Sequence, residues 1–121
     1  MRSLINDEIR FCDLLAKLIK NAEMTQSSFY TQLGIKKPYF YDILGGKSNP
    51  PPPDKQFAMI KILNPNDDER ILFFELAAKE RHEVPADITK YLEIDTNRVA
   101  IRKKINYKKL INQGGKSNDA K

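Results

Sequence analysis

Cysteine and histidine occur once each in the 121 residues, as Cys12 and His82. A single cysteine excludes an internal disulfide and any multi-cysteine zinc site. The single histidine follows Lys79-Glu80-Arg81 and has no second imidazole with which to complete a metal site. Long apolar runs are missing too. None approaches the roughly 18 residues of a membrane span, so no transmembrane helix and no membrane partner are expected. Acidic residues enter at Asp7 and Glu8, too early for a signal peptide, and a cytoplasmic protein is expected. β-branched residues never cluster, and no alternation of apolar and polar residues lasts beyond a few positions, so no strand is expected. A Gly-rich phosphate loop, a histidine–carboxylate pairing and metal-ligand spacing are all lacking. The chain is therefore not expected to be an enzyme or to hold a cofactor.

Charge of both signs is present, but unevenly. The net charge is +5, which by itself suggests an anionic partner. From Arg98 onward there are eight Lys and Arg against one acid, Asp119, whereas the first 97 residues carry 13 basic and 15 acidic groups. The basicity belongs to the last fifth of the chain. A nucleic-acid reading of the N-terminal part must therefore rest on geometry and not on isoelectric point.

The apolar residues recur at helical spacing. Ile9, Phe11, Leu14, Leu15, Leu18 and Ile19 predict a first helix between Ile5 and Ala22. Thr25 is a candidate cap for a second, which carries Phe29 and Leu33 and ends at Gly34. A third runs from about Pro38 to Leu44 and stops at Gly45-Gly46. Pro50 to Pro53 cannot be helical, and they form a stiff connector rather than a PxxP ligand. Asp54 is expected to cap a fourth helix with Phe57, Ile60, Ile62 and Leu63, closed by Asn64-Pro65. Asn66 with Glu69 reads as a capping box opening a helix through Ile71-Leu72-Phe73-Phe74 to Ala78, apolar on most sides and central in the core. A short segment from Pro85 to Leu92 follows, then a basic one after Asp95-Thr96. The fold class is all-α, a compact bundle of five or more short helices. A length of 121 residues suits one modest core.

The stretch from Gln26 to Lys47 carries the most information. Counted from Gln26, Phe29, Leu33, Ile35, Phe40 and Ile43 stand at the fourth, eighth, tenth, fifteenth and eighteenth positions, with Gly34 at the ninth. Two helices joined by a tight glycine turn must bury their facing sides, and this set supplies those sides. The third helix opens on Lys36-Lys37-Pro38. Cations there oppose the helix macrodipole at about 0.3–1 kcal/mol each, and no capping side chain precedes Pro38. A local rule broken without local compensation suggests an anionic partner.

Thr25-Gln26, the Leu33-Gly34-Ile35 turn and Tyr39-Phe40-Tyr41-Asp42-Ile43 ending at Gly46-Lys47 resemble the helix-turn-helix of Xre/Cro-like regulators and lambdoid phage repressors. The resemblance covers residues 5 to 64 and extends more loosely through Lys79-Glu80-Arg81 and Val84 to Ile88. It implies a lambda-repressor-like DNA-binding domain with the helix of about residues 38–44 in the major groove of an operator. Lys36, Lys37, Tyr41 and Asp42 would face the bases, with Pro38 packed over the groove. Gln26, Tyr39 and Lys47 would contact phosphates. The implied protein is a transcriptional regulator, a repressor by expectation, acting as a homodimer on double-stranded DNA. One departure is Tyr30, at a position that is usually small. Either its ring leans outward at the periphery or the angle between the two helices is opened.

Other readings stay open beside this one. Lys36 and Lys37 can be read as solvated side chains, Cys12 as a small hydrophobe beside the first helix's apolar stripe, and His82 as a solvated helix-end residue. The same fold can bind a protein instead, as an antitoxin or a phage-encoded inhibitor, for which the tyrosine-rich stretch would suit. The basic end, Arg102-Lys103-Lys104 and Lys108-Lys109 among Ile101, Ile105, Tyr107, Leu110 and Ile111, reads equally as a docking helix, a non-specific phosphate-binding arm or a solvated face. The expected organisation is a DNA-binding core over 1–64 and additional helices over 65–111 offering a dimerisation or partner surface. A disordered tail is expected over 112–121.

Overall fold

In the computed structural model, which describes residues 9–94 and 98–115, every regular element is a helix, and no strand occurs among the described residues. The order is α1 (Phe11–Asn21), α2 (Gln26–Leu33), α3 (Lys37–Leu44), α4 (Pro53–Leu63), α5 (Asp67–Arg81), α6 (Ala86–Ile94), α7 (Arg98–Lys104) and α8 (Tyr107–Gly115). None is long and apolar enough to cross a membrane. The chain divides between Thr89 and Lys90 into two units.

In the first unit α1 packs on α5 and α3, while α2 packs on α4 and α3. The spacing of Phe11, Leu14, Leu15, Leu18 and Ile19 puts all five on one buried face of α1. Phe73, Phe74, Leu76 and Ala77 of α5 meet them. Rings join the elements: Phe11 and Phe73 lie 4.9 Å apart between centroids, Phe73 and Phe74 5.3 Å, and Phe57 and Phe74 5.2 Å. Each such side chain taken wholly out of water contributes about 1.5–3 kcal/mol. α5 belongs to the first compact unit, because it completes the core that α1 begins.

Several element boundaries differ from expectation for definite reasons. α1 begins at Phe11 rather than near Ile5. Arg10 is extended (φ −109°, ψ 162°) and donates its N–H to Asp13 Oδ2, while Phe11 donates its own to Glu80 Oε2 at 2.7 Å. Residues 5–8 of that expected helix lie outside the described residues. α4 opens at Pro53, not after Asp54: Pro52 supplies the carbonyl that Lys55 and Gln56 donate to, and Pro53 needs no N–H partner in the first turn. Asp54 sits inside that turn. Pro50 and Pro51 are buried, so the proline run shows no free PxxP face. Their carbonyls accept from Arg81 Nη1 at 2.9 Å and from the buried Gln56 Nε2 at 2.8 Å. α5 has the Asn66–Glu69 capping box. It ends on His82, exposed and left-handed at φ 58°. Ile71 alone of its apolar run is exposed.

In the second unit the basic segment is two helices, not one. Asn106 interrupts it, its Oδ1 accepting from Lys109 N at 3.0 Å as the cap of α8. α8 continues to Gly115, past the expected start of a tail at 112. The remainder of that tail lies outside the described residues.

Candidate nucleic-acid interface

Local chemistry builds the junction of α2 and α3. Thr25 Oγ accepts from Ser28 N at 3.0 Å and starts α2. Gly34 ends it at φ +81°, with Gly34 N donating to Thr31 O and Ile35 N to Tyr30 O, the paired bonds of a Schellman turn. Lys55 Nζ of α4 reaches Leu33 O at 3.4 Å and supplies a cation to that helix end. Ile35 then turns inward, half-buried, and Lys36 is extended before α3.

α3 holds the core through Phe40 and Ile43, at 0% and 1% exposure. Phe40 lies 5.9 Å from Phe29 and 5.3 Å from Tyr30 between ring centroids. Tyr30 is half-buried against the core, its ring tilted at 42° to Phe40 and edge-on to Tyr41, so it does not simply lean outward. At about 100° per residue, Pro38, Tyr41 and Asp42 share the side opposite Phe40 and Ile43, with Lys37 beside Tyr41. All four are exposed, as is Lys36 just before the helix. Gln26, the first residue of α2, and Lys47, after α3, are exposed as well.

Tyr39 stands apart from that group. It turns to the other flank of α3, near enough to Arg81 to interact with it electrostatically. Arg81 itself is anchored, donating Nε and Nη2 to the two Glu83 carboxylate oxygens at 2.9 and 3.0 Å. The hydrogen bond from Arg81 holds the Glu83 carboxyl below the ordinary carboxylate range, and the same bond raises the arginine.

The electrostatics of the helix starts separate α2 and α3 from their neighbours. α1 has Asp13 in its first turn, α4 Asp54, α5 Asp67, Asp68 and Glu69, and α6 Asp87. α2 and α3 have no acid there, and α3 has no side-chain cap either. No carboxylate meets either positive end: α2 is capped only by the neutral Thr25 hydroxyl, and α3, beside Lys36 and Lys37, by no side chain.

The sequence gives no signal for what holds the far end of α3. Arg10 Nη2 donates to Gly46 O and to Glu80 Oε1, both at 3.4 Å. These groups come from positions 36 and 70 residues apart, and only the tertiary fold brings them together. Beside them an open cleft of about 390 Å³ is lined by Ile9, Arg10, Asn49, Lys79, Glu80 and His82. Cys12 is half-buried. Among the described residues, no group of three or more His, Cys, Asp or Glu could hold a metal ion.

Compared with known proteins, the chain matches no family model, no curated protein and no solved structure.

Proposed function

We propose that the chain is a sequence-specific DNA-binding regulator, a repressor, whose α2–turn–α3 unit is a helix-turn-helix of the lambda-repressor type. α3 enters the major groove, and two copies act on half-sites about one helical turn apart. Lys36 and Lys37 donate to guanine O6 and N7, Asp42 accepts from a cytosine amino group, and Tyr41 meets a thymine methyl. Gln26 and Lys47 position the duplex through phosphates. Tyr39 has the least support among the phosphate contacts, because it stands on the flank of α3 away from Pro38, Tyr41 and Asp42.

One observation carries this reading: a helix anchored by two buried residues presents an exposed face whose start bears two lysines and no acid or cap. DNA phosphates would supply the missing negative charge at both helix starts. A regulator of this kind works by occupancy and needs no catalytic group.

The test is selection from a random duplex pool, followed by titration of the enriched duplex at two salt concentrations. Enrichment of a defined motif is expected, with Lys37→Glu weakening binding at least about fivefold, the lower end of a lost 1–3 kcal/mol contact. Absence of any enriched motif would overturn it. Tight binding to every duplex alike, unaffected by Lys37→Glu, would transfer nucleic-acid binding to the basic C-terminal segment.

A second reading has its own observation: the exposed Tyr39 and Tyr41, on a first unit of nearly balanced charge, suit a protein-binding face. Under it Tyr41→Ala weakens a protein complex and leaves salt dependence unchanged.

A further inference from the structure

Exposed large apolar side chains are concentrated late in the chain. Of the thirteen among the described residues, ten lie between Val84 and Ile111. Over residues 98–115 they accompany Arg98, Arg102, Lys103, Lys104, Lys108 and Lys109, with no Asp or Glu at all. α8 is amphipathic. Tyr107, Leu110 and Ile111 stand at i, i+3 and i+4 and so share one face, at 50%, 56% and 65% exposure. Lys109 lies on the opposite side, and Lys108 flanks the apolar face next to Ile111.

We propose that α7 and α8 form a docking surface for an anionic lipid bilayer. Tyr107, Leu110 and Ile111 enter the boundary between headgroups and acyl chains, and the lysines and arginines meet the headgroup charge. A basic amphipathic helix of this kind lies in the interface plane. At about 1.5 Å per residue a nine-residue helix is far too short for a core of about 30 Å, so it lies on the surface and does not span. The expectation of no membrane partner, drawn from the lack of a spanning helix, does not extend to such surface docking.

Charge chooses among the occupants. A second copy would set two acid-free, strongly cationic stretches against each other. Nucleic acid would accept the cations but leave the apolar face of α8 in water. An anionic bilayer meets both, with tyrosine at the depth where aromatic rings collect. This surface is independent of the DNA-binding reading and is tested without DNA.

The experiment is co-sedimentation of the full chain with vesicles of phosphatidylcholine mixed with phosphatidylserine, and with vesicles of phosphatidylcholine alone. Binding to the mixed vesicles should be at least about tenfold tighter and should weaken as salt is raised. Replacing Leu110→Ser together with Ile111→Ser keeps every charge and should lower that binding at least about fivefold, since interfacial binding scales with buried apolar area. Neither residue belongs to the buried core, so the thermal unfolding of the variant should match the wild type and report intact folding. Equal or absent binding to the two vesicle types would overturn the proposal. So would mixed-vesicle binding that survives the double replacement, because charge alone would then account for it.

Discussion

A Cβ added at Gly34 would find nothing within 4 Å, yet φ is +81°. Gly46 has nearly the same backbone, φ +78°, but its added Cβ would fall 2.5 Å from Arg10 Nη1. The two glycines therefore differ in what an alanine would cost. Gly34→Ala should lose about 1–2 kcal/mol, the strain of a left-handed non-glycine residue. Gly46→Ala should lose the same strain plus whatever is needed to move the Arg10 guanidinium off Gly46 O. Urea unfolding of both variants, alone and combined with Arg10→Ala, checks this. The excess at Gly46 should vanish when Arg10 is gone, and an excess that persists would place its origin elsewhere. Gly34 can be read from the sequence because a Schellman turn is a local event among six residues, Tyr30 to Ile35. The Arg10–Gly46–Glu80 clasp could not, because no local pattern distinguishes these residues from solvated ones.

Between the residue and the whole, each helix shows which signals are local enough to read. Thr25 as cap of α2, the Asn66–Glu69 box of α5 and the Asn64 end of α4 all sit where the sequence places them, since caps act within one turn. The starts of α1 and α4 differ from expectation for opposite reasons. At α1 a distant carboxylate, Glu80, takes the first helical N–H. At α4 proline made an acid cap unnecessary. The split between α7 and α8 was hidden by a continuous basic composition, although Asn106 was there to be read as a cap. The exposed side of α3 is legible as soon as Phe40 and Ile43 are assigned to the core, and the same helical spacing sets Tyr39 on its other flank. Phe40 carries much of what fixes this element, its ring in contact with Phe29, Tyr30 and Tyr41. Phe40→Ala should destabilise the protein by about 3–5 kcal/mol, much of the margin of a small domain. A fall in denaturation midpoint with an unchanged denaturant slope would bear this out. A loss under 1 kcal/mol would mean that α3 is held by contacts other than this ring.

For the molecule as a whole, the core and the excess of positive charge occupy different parts of the chain. Every buried apolar residue of the main cluster lies between Phe11 and Ala86, while residues from Arg98 onward carry eight of the 21 Lys and Arg with one acid. The charge division was plain in the sequence because counting requires no fold. The structural division at Thr89 was not, because it falls inside the continuous helix α6. Truncation after Ile94 should then leave the thermal midpoint of the remaining chain within a few degrees, since a shift of about 4–8 °C would require 1 kcal/mol of lost stability. The same truncation discriminates among the sources of DNA binding. If α3 reads sequence, the shortened protein should keep its preferred motif. It should bind more weakly and with a shallower dependence of log K on log salt, because each phosphate contact removed takes about 0.9 from that slope. Loss of all preference would instead make the C-terminal segment part of the reading surface. An unchanged slope would show that its cations never meet the phosphates, which would leave them for the lipid surface.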